Sequence, residues 1–251
     1  MSESIAIHVA RYRPGEDEAP TEQRYDVPLS ADLSVLEALN YIKDELDPTL
    51  AYRWSCRMAI CGSCGVMIDG EPRLGCKTFL REFADRGELH VRALDHFPVE
   101  RDLIVDLEGF MDHLEAVKPW MFHEAERPLA EGEYRQTPAE LERYQQFSQC
   151  INCGLCYAAC PQFGRDDSFL GPAALTLALR YNLDSRDDGA GERMAALNAD
   201  EGVWRCTFVG YCSEVCPKDV DPAQAVNRGK VASTINYGLN LLRLAGGKRD
   251  A

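Results

Sequence analysis

Eleven cysteines gathered into three tight groups, at 56–76, 150–160 and 206–216, restrict this 251-residue chain more than any other feature. An odd total cannot close into a complete set of disulfides. Residues 1–18 contain no apolar run, because Ile5, Ile7 and Val9 are interrupted and Arg11 and Arg13 follow, so no export signal is expected. The thiols are therefore expected in a reducing cytoplasm, free or bound to metal. No window approaches the ~18–20 apolar residues of a membrane span. The best run, 172–179, stops at Arg180, so a membrane would be reached through a partner. With 45% hydrophobic residues, both halves can bury a core. A formal net charge of -14 argues against a nucleic-acid partner, whose phosphates attract basic stripes.

Spacing separates the chemistries open to the thiols. Cys56, Cys61 and Cys64 form the C-x4-C-x2-C run of a plant-type [2Fe-2S] loop, and Cys76 follows as the fourth ligand. Gly62, Ser63 and Gly65 suit that loop, since small residues let backbone N–H groups approach sulfide. Structural zinc usually takes two short cysteine pairs rather than one continuous loop.

Cys150, Cys153, Cys156 and Cys160-Pro161 form CxxCxxCxxxCP, the bacterial ferredoxin run whose fourth cysteine serves the other cluster. Cys206, Val209, Cys212 and Cys216-Pro217 repeat its offsets with one cysteine replaced by valine. By the cross-over rule, Cys150, Cys153, Cys156 and Cys216 hold a [4Fe-4S] cluster, leaving Cys160, Cys206 and Cys212 for the second. A corner facing Val209 has no thiolate, which predicts [3Fe-4S]. No cysteine is left over. His8, His90, His96, His113 and His123 lie outside the motifs and read as surface or satisfied core.

The remaining patterns predict an α+β chain. Ile5, Ile7 and Val9 alternate as a strand, with 24–27 as hairpin partner. Ser34 and Glu37 make a capping box, and apolar residues then recur at helical spacing to Leu46. Asp69-Gly70 predicts a hairpin between 66–68 and 72–74, and 89–94 reads as a further strand. One helix on a small mixed sheet is a β-grasp, expected over 1–106. A helix over 102–117 and a charged linker follow, assigning 107–136 to connection. Thr137-Pro138 with Glu140, then Pro172, then Asp221-Pro222 with Gln224, mark helix starts in an α-helical domain over 137–251.

RWSCRMAICGSCG at 53–65, CINCGLCYAACPQF at 150–163 and CTFVGYCSEVCPK at 206–218 resemble, in that order, the iron-sulfur subunit of fumarate reductases and succinate dehydrogenases. The resemblance spans nearly the whole chain. It implies a β-grasp [2Fe-2S] domain followed by an α-helical ferredoxin domain with the [4Fe-4S] and [3Fe-4S] clusters. It also implies an electron relay between a FAD-bearing flavoprotein subunit and small membrane anchor subunits where quinone, expected to be menaquinone, is processed. The implied place is peripheral, on the cytoplasmic face of the bacterial inner membrane, and no catalytic residue is implied. Gln162-Phe163-Gly164 and Thr207-Phe208 resemble the quinol:fumarate branch, with succinate dehydrogenase, working in the opposite direction, as the alternative. Thr207, Phe208 and Lys230 become candidate walls of a quinone pocket. Their plainer readings are a capping hydroxyl, core packing and a solvated helix face. A zinc-binding interaction module and other redox relays compete, but the latter need two [2Fe-2S] domains or two complete CxxCxxCxxxCP runs.

Overall fold

Alternation of apolar and polar residues builds the first sheet of the computed structural model, which describes residues 4–125 and 127–246, with side chains as far as 238. Strand β1 (Ser4–Arg11) buries Ile5, Ile7 and Val9 on one face. It pairs antiparallel with β2 (Thr21–Pro28), setting Ile5 opposite Val27 and Ile7 opposite Tyr25. Strands β3 (Gly65–Ile68) and β4 (Glu71–Leu74) form the expected hairpin, with Asp69 at φ 49° and Gly70 at φ 84°. Such a turn needs two left-handed residues. Strand β5 (Glu88–Arg92) lies parallel to β1 and antiparallel to β3, so the mixed sheet runs β2-β1-β5-β3-β4.

Helix α1 (Val35–Tyr41) starts where Ser34 Oγ accepts from Glu37 N and the Glu37 carboxylate accepts from Ser34 N. A cap of this kind contributes about 1 kcal/mol. One wide π turn continues the helix through Ile42–Leu46. Val35, Ala38, Leu39 and Ile42 share one core with Ile5, Ile7, Val9, Leu89 and Val91. Each buried aliphatic side chain contributes roughly 1.5–3 kcal/mol. Sheet and helix together make the β-grasp.

The helix expected over 102–117 is shorter than its apolar spacing predicts. Strands β6 (Val99–Arg101) and β7 (Ile104–Val105) form a small ribbon closed at Asp102, φ 47°, and helix α2 runs only over Glu108–Ala116. The buried Asp102 carboxylate accepts from Arg11 Nε (3.1 Å), Tyr12 N (3.0 Å) and Ala51 N (2.9 Å). Leaving those donors unpaired inside the protein costs more than a few residues of helix propensity return.

Among the described residues no strand follows Val105. The helices are α3 (Pro138–Glu142), α4 (Leu155–Ala158), α5 (Pro161–Arg165), α6 (Gly171–Asn182), α7 (Ala190–Asn198), α8 (Tyr211–Glu214) and α9 (Pro222–Gly246). Thr137 and Glu140 form the expected capping box of α3, and Asp221 accepts from Gln224 N at the start of α9. No helix of the described residues is long and apolar enough to cross a membrane.

Compactness divides the chain into two units that do not follow its order. The sheet-bearing unit comprises the chain up to Gly109 together with Ile151–Ala159 and Val215–Lys218. Inside it, Lys77 Nζ donates to the Pro217 carbonyl at 3.0 Å. The helical unit comprises Phe110–Cys150, Cys160–Glu214 and the chain from Asp219 onward. At its centre the fully buried Arg193 makes a two-pronged pair with Asp187 (2.6 and 2.8 Å) and donates to the carbonyls of Lys118 (3.0 Å) and Trp120 (2.6 Å).

Candidate metal centres

The first cysteine loop is held from below by a buried cation. Arg11 donates to Asp102, to Tyr25 Oη (2.6 Å) and to Thr49 Oγ1 (2.9 Å), and it also pairs with Asp47. Because Asp102 accepts from Ala51 N as well, this network anchors the chain entering the loop. Arg53 adds a bond from Nη1 to the Val105 carbonyl at 2.8 Å.

Within the loop, Arg57, Ala59 and Gly62 take φ of 58°, 57° and 76°. These left-handed turns curl the backbone around the sulfurs. The N–H groups of Met58, Ile60 and Cys61 donate to Cys56 Sγ at 3.4, 3.3 and 3.3 Å, and Ala59 N donates to Cys76 Sγ at 3.3 Å. Cys56 N donates in turn to Cys61 Sγ at 3.4 Å. A hydrogen bond with Ser63 leads the causes that lower the Cys61 thiol to about 6. Burial pushes Cys64, which also hydrogen-bonds with Cys76, up to about 12. A metal binding there displaces the proton.

Gly62 shows why the loop is glycine-bearing. A Cβ there would lie 2.7 Å from Cys153 Cβ and 2.9 Å from Cys153 Cα, within the same compact unit. No side chain fits.

The two later motifs share one backbone. Each begins with a short 3-10 turn, Phe147–Gln149 or Val203–Arg205, after which Cys150 N and Cys206 N donate back to Phe147 O and Val203 O, both at 3.4 Å. Asn152 and Phe208, at the same offset, have φ 52° and 66°, and Gly154 and Gly210 have φ 77° and 92°. Helices α4 and α8 then start in register. Val209, at the position equivalent to Cys153, is 46% exposed.

In the helical unit, Cys160, Cys206 and Cys212 lie close enough to act on one another electrostatically. Burial raises the Cys160 thiol and takes Cys212 to about 12, and in both cases Cys206 adds to the rise. Phe163 N donates to Cys160 Sγ at 3.5 Å and Phe208 N to Cys206 Sγ at 3.4 Å. Cys153, Cys156 and Cys216 belong to the sheet-bearing unit and Cys150 to the helical unit. All-sulfur donors, N–H groups aimed at sulfur and a glycine where no Cβ fits suit iron-sulfur ligation.

Lys230 is half-buried rather than on a solvated face, and its Nζ donates to the Cys206 carbonyl at 2.8 Å, 5.9 Å from the Phe208 ring. Thr207 and Phe208 are exposed, so Phe208 is not a core residue. Exposed Trp204 and Tyr211 flank them in sequence and carried no motif signal. Phe208 is silent, since a bulky side chain rarely takes a left-handed turn, whereas Asn152 is of a type enriched there.

A 2Fe-2S iron-sulfur cluster binding domain family matches residues 6–112, and a 4Fe-4S dicluster domain family matches residues 143–217. The chain is 57% identical over 240 residues to the fumarate reductase iron-sulfur subunit of Escherichia coli O6:H1, covering 96% of this chain and 97% of that one. This chain belongs to the fumarate reductase and succinate dehydrogenase iron-sulfur subunit family. Within that family it is also 37% identical to the succinate dehydrogenase iron-sulfur subunit of Paracoccus denitrificans over 88% of this chain and 84% of that one. A chain of the Mycobacterium smegmatis Sdh1 complex in the apo form matches with TM-score 0.85 and 26% identity, over 94% of this chain and 98% of that one. Family membership makes this an oxidoreductase subunit with 2Fe-2S and 4Fe-4S binding domains, and sets the zinc module aside.

Proposed function

We propose that the chain is the electron-transfer subunit of a membrane-associated quinol:fumarate oxidoreductase. The observation that carries this reading is the repeated turn of the paired motifs, in which the backbone is kept and a single ligand is exchanged for Val209. Cys56, Cys61, Cys64 and Cys76 hold the [2Fe-2S] cluster, Cys150, Cys153, Cys156 and Cys216 the [4Fe-4S] cluster, and Cys160, Cys206 and Cys212 the [3Fe-4S] cluster. Bound there, the clusters supply one-electron carriers between a quinone site and a FAD-bearing subunit. The chain's own groups place and tune them: N–H groups of the 56–61 loop screen thiolate charge, and burial of Cys64 keeps water from its sulfur.

Two surfaces suit partners. Trp54, Met58 and Ile60 are 42%, 70% and 52% exposed around the first loop, fitting a face that docks the flavoprotein subunit. Phe208, Val209 and Tyr211 are about half exposed beside Cys206 and Cys212, with Lys230 against the Cys206 carbonyl, fitting a quinone pocket completed by small membrane anchor subunits. Attachment through those subunits puts the chain peripherally on the cytoplasmic face of the membrane, with menaquinone as the expected quinone. The 57% identity to a fumarate reductase subunit, against 37% to a succinate dehydrogenase subunit, favours fumarate reduction as the working direction.

Purification of the tagged chain from its own cells tests the assignment. A FAD protein and small membrane proteins are expected beside it, with quinol-linked fumarate reduction faster than succinate oxidation. Faster succinate oxidation transfers the chain to the opposite direction, and purification without a flavoprotein overturns the reading.

A further inference from the structure

On the sheet face opposite the core, three strands bring two imidazoles and two carboxylates together. His8 of β1 stands directly across from His90 of the parallel strand β5, and their rings stack with centroids 4.6 Å apart. Glu22 reaches in from β2, where it pairs with Ala10, one outward position along β1 from His8. Glu88 precedes His90 by two residues and so shares its face. Both rings aim Nδ1 at the same carboxylate: His8 Nδ1 lies 3.0 Å from Glu22 Oε1 and His90 Nδ1 2.8 Å from Glu22 Oε2. The ligand atoms of the three residues all lie within 4.8 Å of one another.

The proton positions leave a conflict. A carboxylate only accepts, so each Nδ1 facing Glu22 carries hydrogen. His8 Nε2, on the far side of the ring, is then a buried nitrogen without a hydrogen-bond partner, 3.5 Å from another acceptor, Glu88 Oε2. Moving the His8 proton to Nε2 relieves that contact but turns a lone pair toward Glu22. No neutral ring serves both carboxylates; an imidazolium donating at both nitrogens does, and so does a metal cation between Nδ1 and the Glu22 carboxylate, the two competing for one position.

We propose that His8 Nδ1, His90 Nδ1 and the Glu22 carboxylate form a surface site for a divalent transition cation of the zinc class, with Glu88 orienting His8 through Nε2–H. Three protein ligands leave a position for water, the pattern of an open zinc site. Tetrahedral bonds of about 2.0–2.1 Å separate neighbouring ligands by about 3.3–3.4 Å, so the Nδ1-to-Glu22 distances need only small adjustments, whereas the rings, stacked at 20°, must turn for both lone pairs to meet one ion. Imidazole and carboxylate together prefer zinc and its first-row neighbours to magnesium or calcium. A carboxylate behind a ligating histidine is the usual means of fixing the ring. Such a cation ties β2 across β1 to β5, and the chain's net charge of -14 draws it in.

Equilibrium dialysis of the iron-loaded protein against micromolar zinc, alone or with excess magnesium, tests the site, with zinc and iron measured in the same sample. One zinc per chain is expected at full iron content, insensitive to magnesium. His8→Gln, Glu22→Gln and His90→Gln should each weaken retention by about tenfold or more, as should Glu88→Gln to a smaller degree. Anomalous scattering at the zinc edge from a zinc-soaked crystal should peak beside the two Nδ1 atoms and the Glu22 carboxylate. Glu22 and His90 are half exposed, so their variants keep the fold even if His8→Gln does not. No zinc retained by wild type, equal retention by all variants, or zinc gained only as iron is lost each overturns the proposal.

Discussion

Val209→Cys returns a thiolate to the one offset at which the second motif lacks it. The loop is already shaped to use it: the left-handed pairs Asn152 and Gly154, and Phe208 and Gly210, bracket equivalent positions, and the flanking 3-10 turn and helix recur. Val209 itself is not left-handed and is 46% exposed, so the exchange removes roughly one half-buried carbon, about 0.4 kcal/mol. Against a typical stability of about 5–15 kcal/mol, that leaves the fold intact. The new sulfur then completes a four-cysteine set with Cys160, Cys206 and Cys212, and iron should rise from about nine to about ten per chain at constant sulfide. Electron paramagnetic resonance of the air-oxidised protein reads the change directly. An oxidised [3Fe-4S] centre is paramagnetic and an oxidised low-potential [4Fe-4S] centre is silent, so the wild-type signal should disappear in the variant. If wild type has no such signal, or the variant keeps it undiminished at an unchanged iron count, the three-thiolate assignment is wrong.

Gly62→Ala forces a Cβ against Cys153 at a left-handed φ, so it should cost at least about 1–2 kcal/mol and bleach the [2Fe-2S] absorption at lower temperature; an unchanged melt refutes the close approach. Arg193→Leu strands the buried Asp187 carboxylate and should destabilise by about 3–5 kcal/mol, seen as a lowered Tm of the holoprotein, whereas a loss below about 1 kcal/mol contradicts the buried pair. Burial raises the Asp184 carboxyl, but hydrogen bonds from Arg186 outweigh it and hold the group at about 2, below its unfolded value of about 3.9. Its contribution is present above the unfolded pKa and lost as pH falls through the folded one. The Tm gap between wild type and Asp184→Asn should therefore stay constant from pH 8 to 5, and a gap that closes within that range speaks against the Arg186 pair.

Signals local in sequence were the legible ones. The capping boxes at Ser34 and Thr137, the Asp69-Gly70 hairpin and the cysteine runs at 56–64, 150–160 and 206–216 each act over fewer than a dozen residues, and the first two appear as expected. The failures share long sequence separation. Asp102 reads as a helix residue until Arg11, 91 positions earlier, arrives to claim it. His8 and His90 read as separate residues, surface or satisfied core, because the parallel register of β1 with β5 is set by the whole core. For Lys230 the plainer reading, a solvated helix face, misses the Cys206 carbonyl because nothing nearby in sequence points to a partner 24 residues away.

The sheet-bearing unit also sets a timetable for biosynthesis. Its last segment, Val215–Lys218, leaves the ribosome long after Gly109. At translation rates of about 5–20 residues per second, the intervening chain takes about 5–20 s to appear. Until then Lys77 lacks the Pro217 carbonyl, and before residue 153 emerges the loop around Gly62 lacks the backbone it packs against. A nascent chain in this state presents Cys56, Cys61, Cys64 and Cys76 without their later neighbours, so this is the interval in which a chaperone or an iron-delivery protein finds the first loop most accessible.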